Sequence, residues 1–488
     1  MNRQPHHEYT ALDFSTPKAI LSHAKQLEGM TFQDILDLGI VPEGVDREYS
    51  KKGYKGGMGT LIEERFFGYK ANSNQDADFS EAGVELKATC FDVKRNGEYS
   101  AGERLVLTMI PFDRPIENNF YDSHAWTKSK LIMLIYYERD KSIATYNQKI
   151  HYATLFTPSP SDLKIIEDDY NTISSLIKSG HAEDLSESLT SYLGACTKGS
   201  TAEKSIVNQF YGSHTPAKKR AFCFKRSFMD YVLHHYVMGE ADNAESIIKN
   251  AAELKEKTFE ELVLEKINRH VGKTDKELCD LLGLEYTGNK AQWTRITYAL
   301  LDVRGEKAEE FEKASISVRT VRVNEDGGVT ESLSLHGITF MDLMNETWEE
   351  ASLRQYFEET RFLFVSFQKS KDTLTLSGAR FWAMPKRDIE GSLRDCWQKT
   401  KDTVAEGVEL NIIPRGQSTC VENNLPKKTE NPIAHVRPHT SKSWYKFSDG
   451  STRGDNPHCG DRLPDGREMT RQSFWLNSDY VCKIITKN

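Results

Sequence analysis

The sequence predicts an α+β protein made of two domains, and three observations lead there. Its 488 residues exceed what one compact core usually encloses. Segments with helical apolar spacing alternate with short apolar runs of strand type. The second half also repeats the first, weakly but in order. Residues 24–36 and 251–263 share Leu27/Leu254, Thr31/Thr258 and Phe32/Phe259. Residues 78–89 then lie against 310–321, Tyr192 onward against His435 onward, and 220–228 against 472–480, the offset growing from 227 to about 252 as loop insertions would make it.

The elements follow in chain order. Ile20, Leu21, Ala24, Leu27 and Phe32 mark a helical segment over 17–36. A Gly/Lys-rich turn at 51–57 precedes a second helix over 58–69, burying Leu61, Ile62, Phe66 and Phe67. From 83 to 156 the pattern changes to strands at 83–91, 104–110, 131–137 and 152–156, and helix resumes over 160–194 with Ser161 as the expected cap. Residues 196–226 hold seven basic side chains (Lys198, Lys204, Lys218, Lys219, Arg220, Lys225, Arg226) against one acid, Glu203, a cationic patch interleaved with aromatics in a chain of net charge −8. A polar stretch near Gly239 is the expected boundary, giving domains 1–238 and 239–488.

Composition excludes several classes. A 38 % hydrophobic content, with 23 Phe and 20 Tyr, argues against a mostly disordered chain. No window approaches 18 uninterrupted apolar residues, and the start has no apolar signal region, so neither a membrane span nor secretion is expected. Eight cysteines without a CxxC pair suit reduced thiols and a cytoplasmic setting. His435, His439, His458 and Cys459 match no common zinc spacing.

The candidate chemistry centres on Glu85-Leu86-Lys87. The same kind of triplet at 253–255 lies in a helical run, and the one at 162–164 opens a helix where an acid favours the dipole. Glu85 and Lys87 instead lie in a strand pattern and share one face. Asp78, across a short turn, can supply a second carboxylate, and Glu64 on the preceding helix a third. Hard carboxylates suit Mg²⁺, and Lys87 can orient or deprotonate water or stabilise charge on a phosphorane.

With these residues in view, 20–235 resembles the MutH mismatch-repair endonucleases, and nearly the whole chain resembles the Sau-three-A-type GATC restriction endonucleases. The resemblance rests on Glu64-RFFG, Asp78-FSEAGVELKAT, Glu103-RLVL, Lys128-SK, Tyr192-LGACTKGS and Arg220-AFCFK, all in family order. It implies two restriction-endonuclease-like (MutH-like) domains, each a mixed β-sheet flanked by helices. It assigns Mg²⁺ to Asp78 and Glu85, catalysis to these with Lys87, Lys128 and Glu64, and base reading to Lys198. Glu103, Arg220, Cys223, Lys225, Arg437 and His439 complete the implied DNA-contacting set. The implied reaction is Mg²⁺-dependent cleavage of both strands of duplex DNA at GATC, 5′ to the G, leaving 5′-phosphates, with a transient homodimer on DNA as a possible partner state.

Two departures bear on the role. Cys223 stands where the repair enzymes carry a Tyr that senses adenine methylation, and Cys196 where they carry a base-reading Arg. The second half has Glu310, Ser317 and Arg319 at the places of Asp78, Glu85 and Lys87, so it should bind DNA without holding metal. A repair nickase and a non-catalytic GATC-binding regulator are the alternatives. The first is disfavoured by Cys223 and the second domain, the other by the intact Asp78, Glu85, Lys87 and Lys128.

Overall fold

The computed structural model describes residues 13–486 apart from 43–44, 46–56, 72–74, 95, 199–204, 213, 242 and 417. The Gly/Lys-rich turn at 51–56, Lys204 and Glu203 lie outside the described residues. The chain divides into two units: 1–258 with 309–315, and 259–308 with 316–488. This differs from the expected boundary at 238/239, and buried polar bonds explain why. The Glu310 carboxylate accepts from the amides of Ile247 and Ile248 and from Ser246 Oγ. Lys313 Nζ pairs with Asp162 at 2.7 Å and Glu309 at 2.6 Å, both strongly buried for Lys313, and Lys225 Nζ donates to the Ala314 carbonyl. Residues 246–254 and 309–315 therefore belong to the first unit.

The first unit opens with helices α1 (Pro17–Ala24), α2 (Phe32–Asp37) and α3 (Gly57–Arg65). Thr16 caps α1 with Pro17 in its first turn, and Thr31 and Asp34 form a reciprocal capping box on α2. Strands β1 (Glu85–Val93) and β2 (Tyr99–Ala101) form a hairpin, and β3 (Leu105–Met109) follows. The short helix α4 (His124–Thr127) precedes β4 (Ile132–Glu138), β5 (Ile150–Phe156) and α5 (Pro160–Lys178). Ser159, not Ser161, caps α5, because Pro160 takes the first helical position and the Ser159 hydroxyl reaches the Asp162 amide. The helix ends at Lys178, short of 194.

Next come β6 (Leu193–Thr197), the hairpin β7 (Ile206–Asn208) and β8 (Pro216–Lys218), β9 (Arg220–Phe224) and helix α6 (Arg226–Tyr231). One sheet runs β2-β1-β4-β5, with β1 parallel to β4 and the other neighbours antiparallel; a second runs β3-β9-β6, all antiparallel. The first five residues of β4 are all buried, the continuous apolar run of a central strand. Leu86 and Val84 pack with Leu61, Ile62, Phe79, Met133 and Ile135, which fixes α3 against the start of β1.

The second unit repeats this wiring. Strands β10 (Ile316–Val323), β11 (Leu333–Gly337), β12 (Arg361–Ser370) and β13 (Thr373–Trp382) follow helices Phe259–Asn268, Asp275–Leu282 and Lys290–Leu300. The hairpin β14 (Leu410–Arg415) and β15 (Ser418–Asn423) leads to β16 (Ala434–Pro438). A small sheet is made of β17 (Tyr445–Lys446), β18 (Thr452–Arg453), β19 (Gly460–Arg462) and β20 (Glu468–Thr470), before β21 (Gln472–Leu476).

β10 is parallel to β12, which is antiparallel to β13, as β1, β4 and β5 are. β11-β21-β16 mirrors β3-β9-β6. Register corrects one alignment. Gly194 faces Cys223 and His435 faces Trp475, so Gly194 rather than Tyr192 corresponds to His435. Cys196 then corresponds to Arg437 and Lys198 to His439.

Candidate active site

The seven-residue spacing of Asp78 and Glu85 closes a hairpin. Phe79 and Val84 exchange backbone hydrogen bonds at 2.9 and 3.2 Å, and Gly83 sits at φ +64° in the turn, where an L side chain would be strained. The hairpin brings the two carboxylates together. Asp78 Oδ2 accepts from the Leu86 amide at 2.9 Å, and the Asp78 amide donates to Glu85 Oε2 at 3.3 Å.

Glu85 is 1 % exposed and receives two ammonium groups, Lys87 Nζ at 2.6 Å on Oε1 and Lys128 Nζ at 2.8 Å on Oε2. Lys128 closes the C-terminal end of α4, four residues before β4, and also lies 3.9 Å from Asp78. A buried carboxylate would be costly alone; two charge-assisted bonds offset much of that cost. Burial still pushes the Glu85 carboxyl above its ordinary range, with Lys87 opposing and Asp78 adding to the shift. Asp78, Glu85, Lys87 and Lys128 thus converge in one cluster.

The helix carboxylate is corrected by one residue. Glu64 is fully buried, and its Oε1 accepts from the Ala71 amide at 3.2 Å. Glu63, its neighbour, feels the Asp78, Lys87 and Glu85 charges, and burial followed by Asp78 pushes its carboxyl up to about 7. Adjacent helical positions point roughly 100° apart, so only packing selects which one faces the cluster. Tyr69 is the second residue that sequence reasoning missed. Its phenol, raised by burial, lies in the field of Asp78, Glu63 and Glu85.

The expected DNA-contacting residues separate into two groups. Lys198 is half-buried at the end of β6 with its amide on the Lys219 carbonyl, while Lys218 and Lys219 are exposed. Glu103 is exposed, with Arg139, Lys198 and Arg104 as its cationic neighbours. Arg437 and His439 are exposed in the second unit, where the Arg437 guanidinium lies 3.8 Å above the Trp475 ring and His439 meets that ring edge-on at 5.1 Å.

Arg220, Cys223 and Lys225 are corrected, because they point inward. Arg220 donates to the Ala195 carbonyl, Cys223 is fully buried with its thiol on the Gly194 carbonyl, and Lys225 donates to the Thr190 and Ala314 carbonyls. All five side chains of β9 are buried, so its basic and thiol groups hold the sheet rather than a groove. Cys196 and Cys223 pack together, and burial pushes the Cys223 thiol well up. All eight cysteines are free.

The family model for the DNA mismatch repair enzyme MutH matches residues 67–169, the span holding Asp78, Glu85, Lys87 and Lys128. The type II restriction enzyme Sau3AI of Staphylococcus aureus is 35 % identical over 97 % of this chain and 99 % of its own length. The chain belongs to the MutH-related type II restriction endonucleases. It is a site-specific deoxyribonuclease. MutH proteins of Shigella flexneri and Escherichia coli, 26 % and 25 % identical, match 46 % of this chain and 94 % of their own length, so they lack a counterpart of its other half. Restriction endonucleases generally employ divalent metal ions and act on DNA. Among the described residues no helix is long and apolar enough to cross a membrane.

Proposed function

We propose that this restriction endonuclease cleaves both strands of duplex DNA at GATC, 5′ to the G and leaving 5′-phosphates, with Mg²⁺ as its metal. The convergence of Asp78, Glu85, Lys87 and Lys128 at one hairpin carries this reading, and the near full-length likeness to Sau3AI supports it over a repair role. Asp78 and Glu85, joined by Glu63, are the groups that would hold the ion. All three are hard oxygen donors, and the buried Tyr69 hydroxyl, in the field of all three, has no hydrogen-bond partner among the described residues. When bound, the ion supplies Lewis acidity toward water and phosphate.

The side chains divide the remaining work. Lys87, with 22 % of its side chain exposed, is the group able to meet a water or a phosphate from solvent. Lys128 is nearly buried and keeps Glu85 in place. The first unit, 1–258 with 309–315, acts as the catalytic domain. The second unit, 259–308 with 316–488, acts as a DNA-binding effector, since Ser317 and Arg319 leave it no Glu-x-Lys pair. A palindrome has two half-sites and this chain has one such centre, so a transient homodimer on DNA completes the cut. The setting is cytoplasmic.

Mapping ends on GATC plasmids tests this directly. Cuts on both strands immediately 5′ to the G are expected, and faster cleavage of two-site than one-site plasmids. Adenine-methylated GATC should be cut as well, because the Cys223 sulfur is buried against Gly194 and no side chain from that position reaches a base. Nicks confined to one strand, or full protection by adenine methylation, would refute the reading.

Base and backbone contacts separate by substitution. Lys198→Ala should remove about 1–3 kcal/mol of preference for GATC over a scrambled duplex, the value of a specific contact to guanine. Lys219→Ala, on the exposed basic surface, should weaken both duplexes alike and flatten the salt dependence by about one unit of slope. Affinities measured on both duplexes across a salt series decide between them.

A further inference from the structure

The Tyr69 hydroxyl is buried and has no hydrogen-bond partner among the described residues. Its placement is closely fixed. Gly68 turns the chain at φ +76°, and the Tyr69 amide closes back on the Glu63 carbonyl at 3.2 Å. The ring then meets Phe79 edge-on at 5.4 Å, and Phe79 directly follows Asp78. Backbone and ring thus tie the phenol to both segments that supply the acidic cluster. The hydroxyl is close enough to Asp78, Glu63 and Glu85 to feel all three charges.

A buried donor without an acceptor is destabilising, and native structures satisfy nearly all such groups. A phenol here has little use in packing, since Phe would fill the same space and leave no unmet donor. The group becomes useful once a divalent cation occupies the carboxylates. Mg²⁺ keeps several of its waters, and a metal-bound water is a strong hydrogen-bond donor that needs acceptors already aimed at it, which a phenol oxygen can be.

We infer that Tyr69 is a positioning residue whose hydroxyl oxygen accepts a hydrogen bond from a water in the hydration shell of a divalent cation held by Glu63, Asp78 and Glu85. The inference rests on the metal reading of that cluster. It adds a group from outside the Asp and Glu-x-Lys pattern, one that sets how the hydrated ion is oriented rather than whether the carboxylates bind it.

The test uses the full chain with Mg²⁺ and Mn²⁺ in calorimetric titrations, with Tyr69→Phe and Asp78→Ala beside wild type. Tyr69→Phe should melt at or above the wild-type temperature without metal, because it removes an unmet donor. It should bind the ions about 10-fold more weakly, as loss of an outer-shell partner does. In cleavage assays the metal concentration for half-maximal rate should rise by the same factor, and saturating metal should restore most of kcat. Asp78→Ala should lose binding altogether. Wild-type metal affinity in Tyr69→Phe while Asp78→Ala fails to bind would overturn the inference alone, as would a lower melting temperature of metal-free Tyr69→Phe. Wild-type affinity in both variants would overturn the metal site beneath it.

Discussion

Glu85→Ala and Lys87→Ala are each expected to abolish measurable cleavage while the protein still binds DNA in the absence of metal. Glu85 is the hub of the cluster: it takes both ammonium groups and the Asp78 amide, so its loss removes one of the proposed metal-holding carboxylates and releases Lys87 and Lys128 together. In the proposed reaction Lys87 acts on charge that develops during phosphodiester hydrolysis, where losing one preorganised electrostatic partner costs on the order of 10²–10³ in rate. The two substitutions differ in stability. Lys87 is partly exposed, so its removal should leave the fold nearly unchanged. Glu85→Ala strands the nearly buried Lys128 ammonium and should cost about 3 kcal/mol, the low end for breaking a buried pair. Single-turnover cleavage paired with urea melts separates the effects. Substantial cleavage by Glu85→Ala would remove the cluster from catalysis.

Asp169→Ala, far from the carboxylates in sequence, is expected to have the largest effect on stability. Asp169 lies on α5, 5 % exposed, and accepts from three consecutive amides: Ser191 at 2.7 Å, Tyr192 at 2.6 Å and Leu193 at 2.9 Å. Alanine leaves three buried N–H groups without an acceptor. At about 1–3 kcal/mol each, partly relieved by relaxation, the loss should be about 3–5 kcal/mol, a large share of the stability of an ordinary domain. The consequence extends to function, because those amides lead into β6, the strand that ends next to Lys198. Asn should recover part of the loss through its one carbonyl oxygen. Urea midpoints of the Ala and Asn variants, with their GATC preference, check this. An Ala variant as stable as wild type would mean that solvent satisfies the three amides.

What depends on spacing along the chain is written in the sequence. Asp78 and Glu85 lie seven apart around Gly83, and a strand puts Glu85 and Lys87 on one face, so three of the four clustered groups were legible before any coordinates. The repeat was legible too, because both halves encode the same succession of helix, parallel crossover and antiparallel partner. Lys128 entered only through the family resemblance, since a lysine 41 residues beyond Lys87 carries no local signal.

Which way side chains point when neighbouring positions are equally polar depends instead on the packing of distant elements. Glu63 and Glu64 are interchangeable by composition, yet packing of α3 on β1 buries one against the Ala71 amide and turns the other to Asp78. Arg220 and Lys225 were counted as surface cations by charge. The β3-β9-β6 sheet instead buries them and satisfies them with carbonyls from segments 25, 35 and 89 residues away. The unit boundary moved for the same reason, because Glu310 and Lys313 find partners 62–64 and 151 residues upstream. Periodicity and turn chemistry act over a few residues and are written locally. Satisfying buried charge depends on which distant backbone groups arrive at the same place, and folding alone settles that.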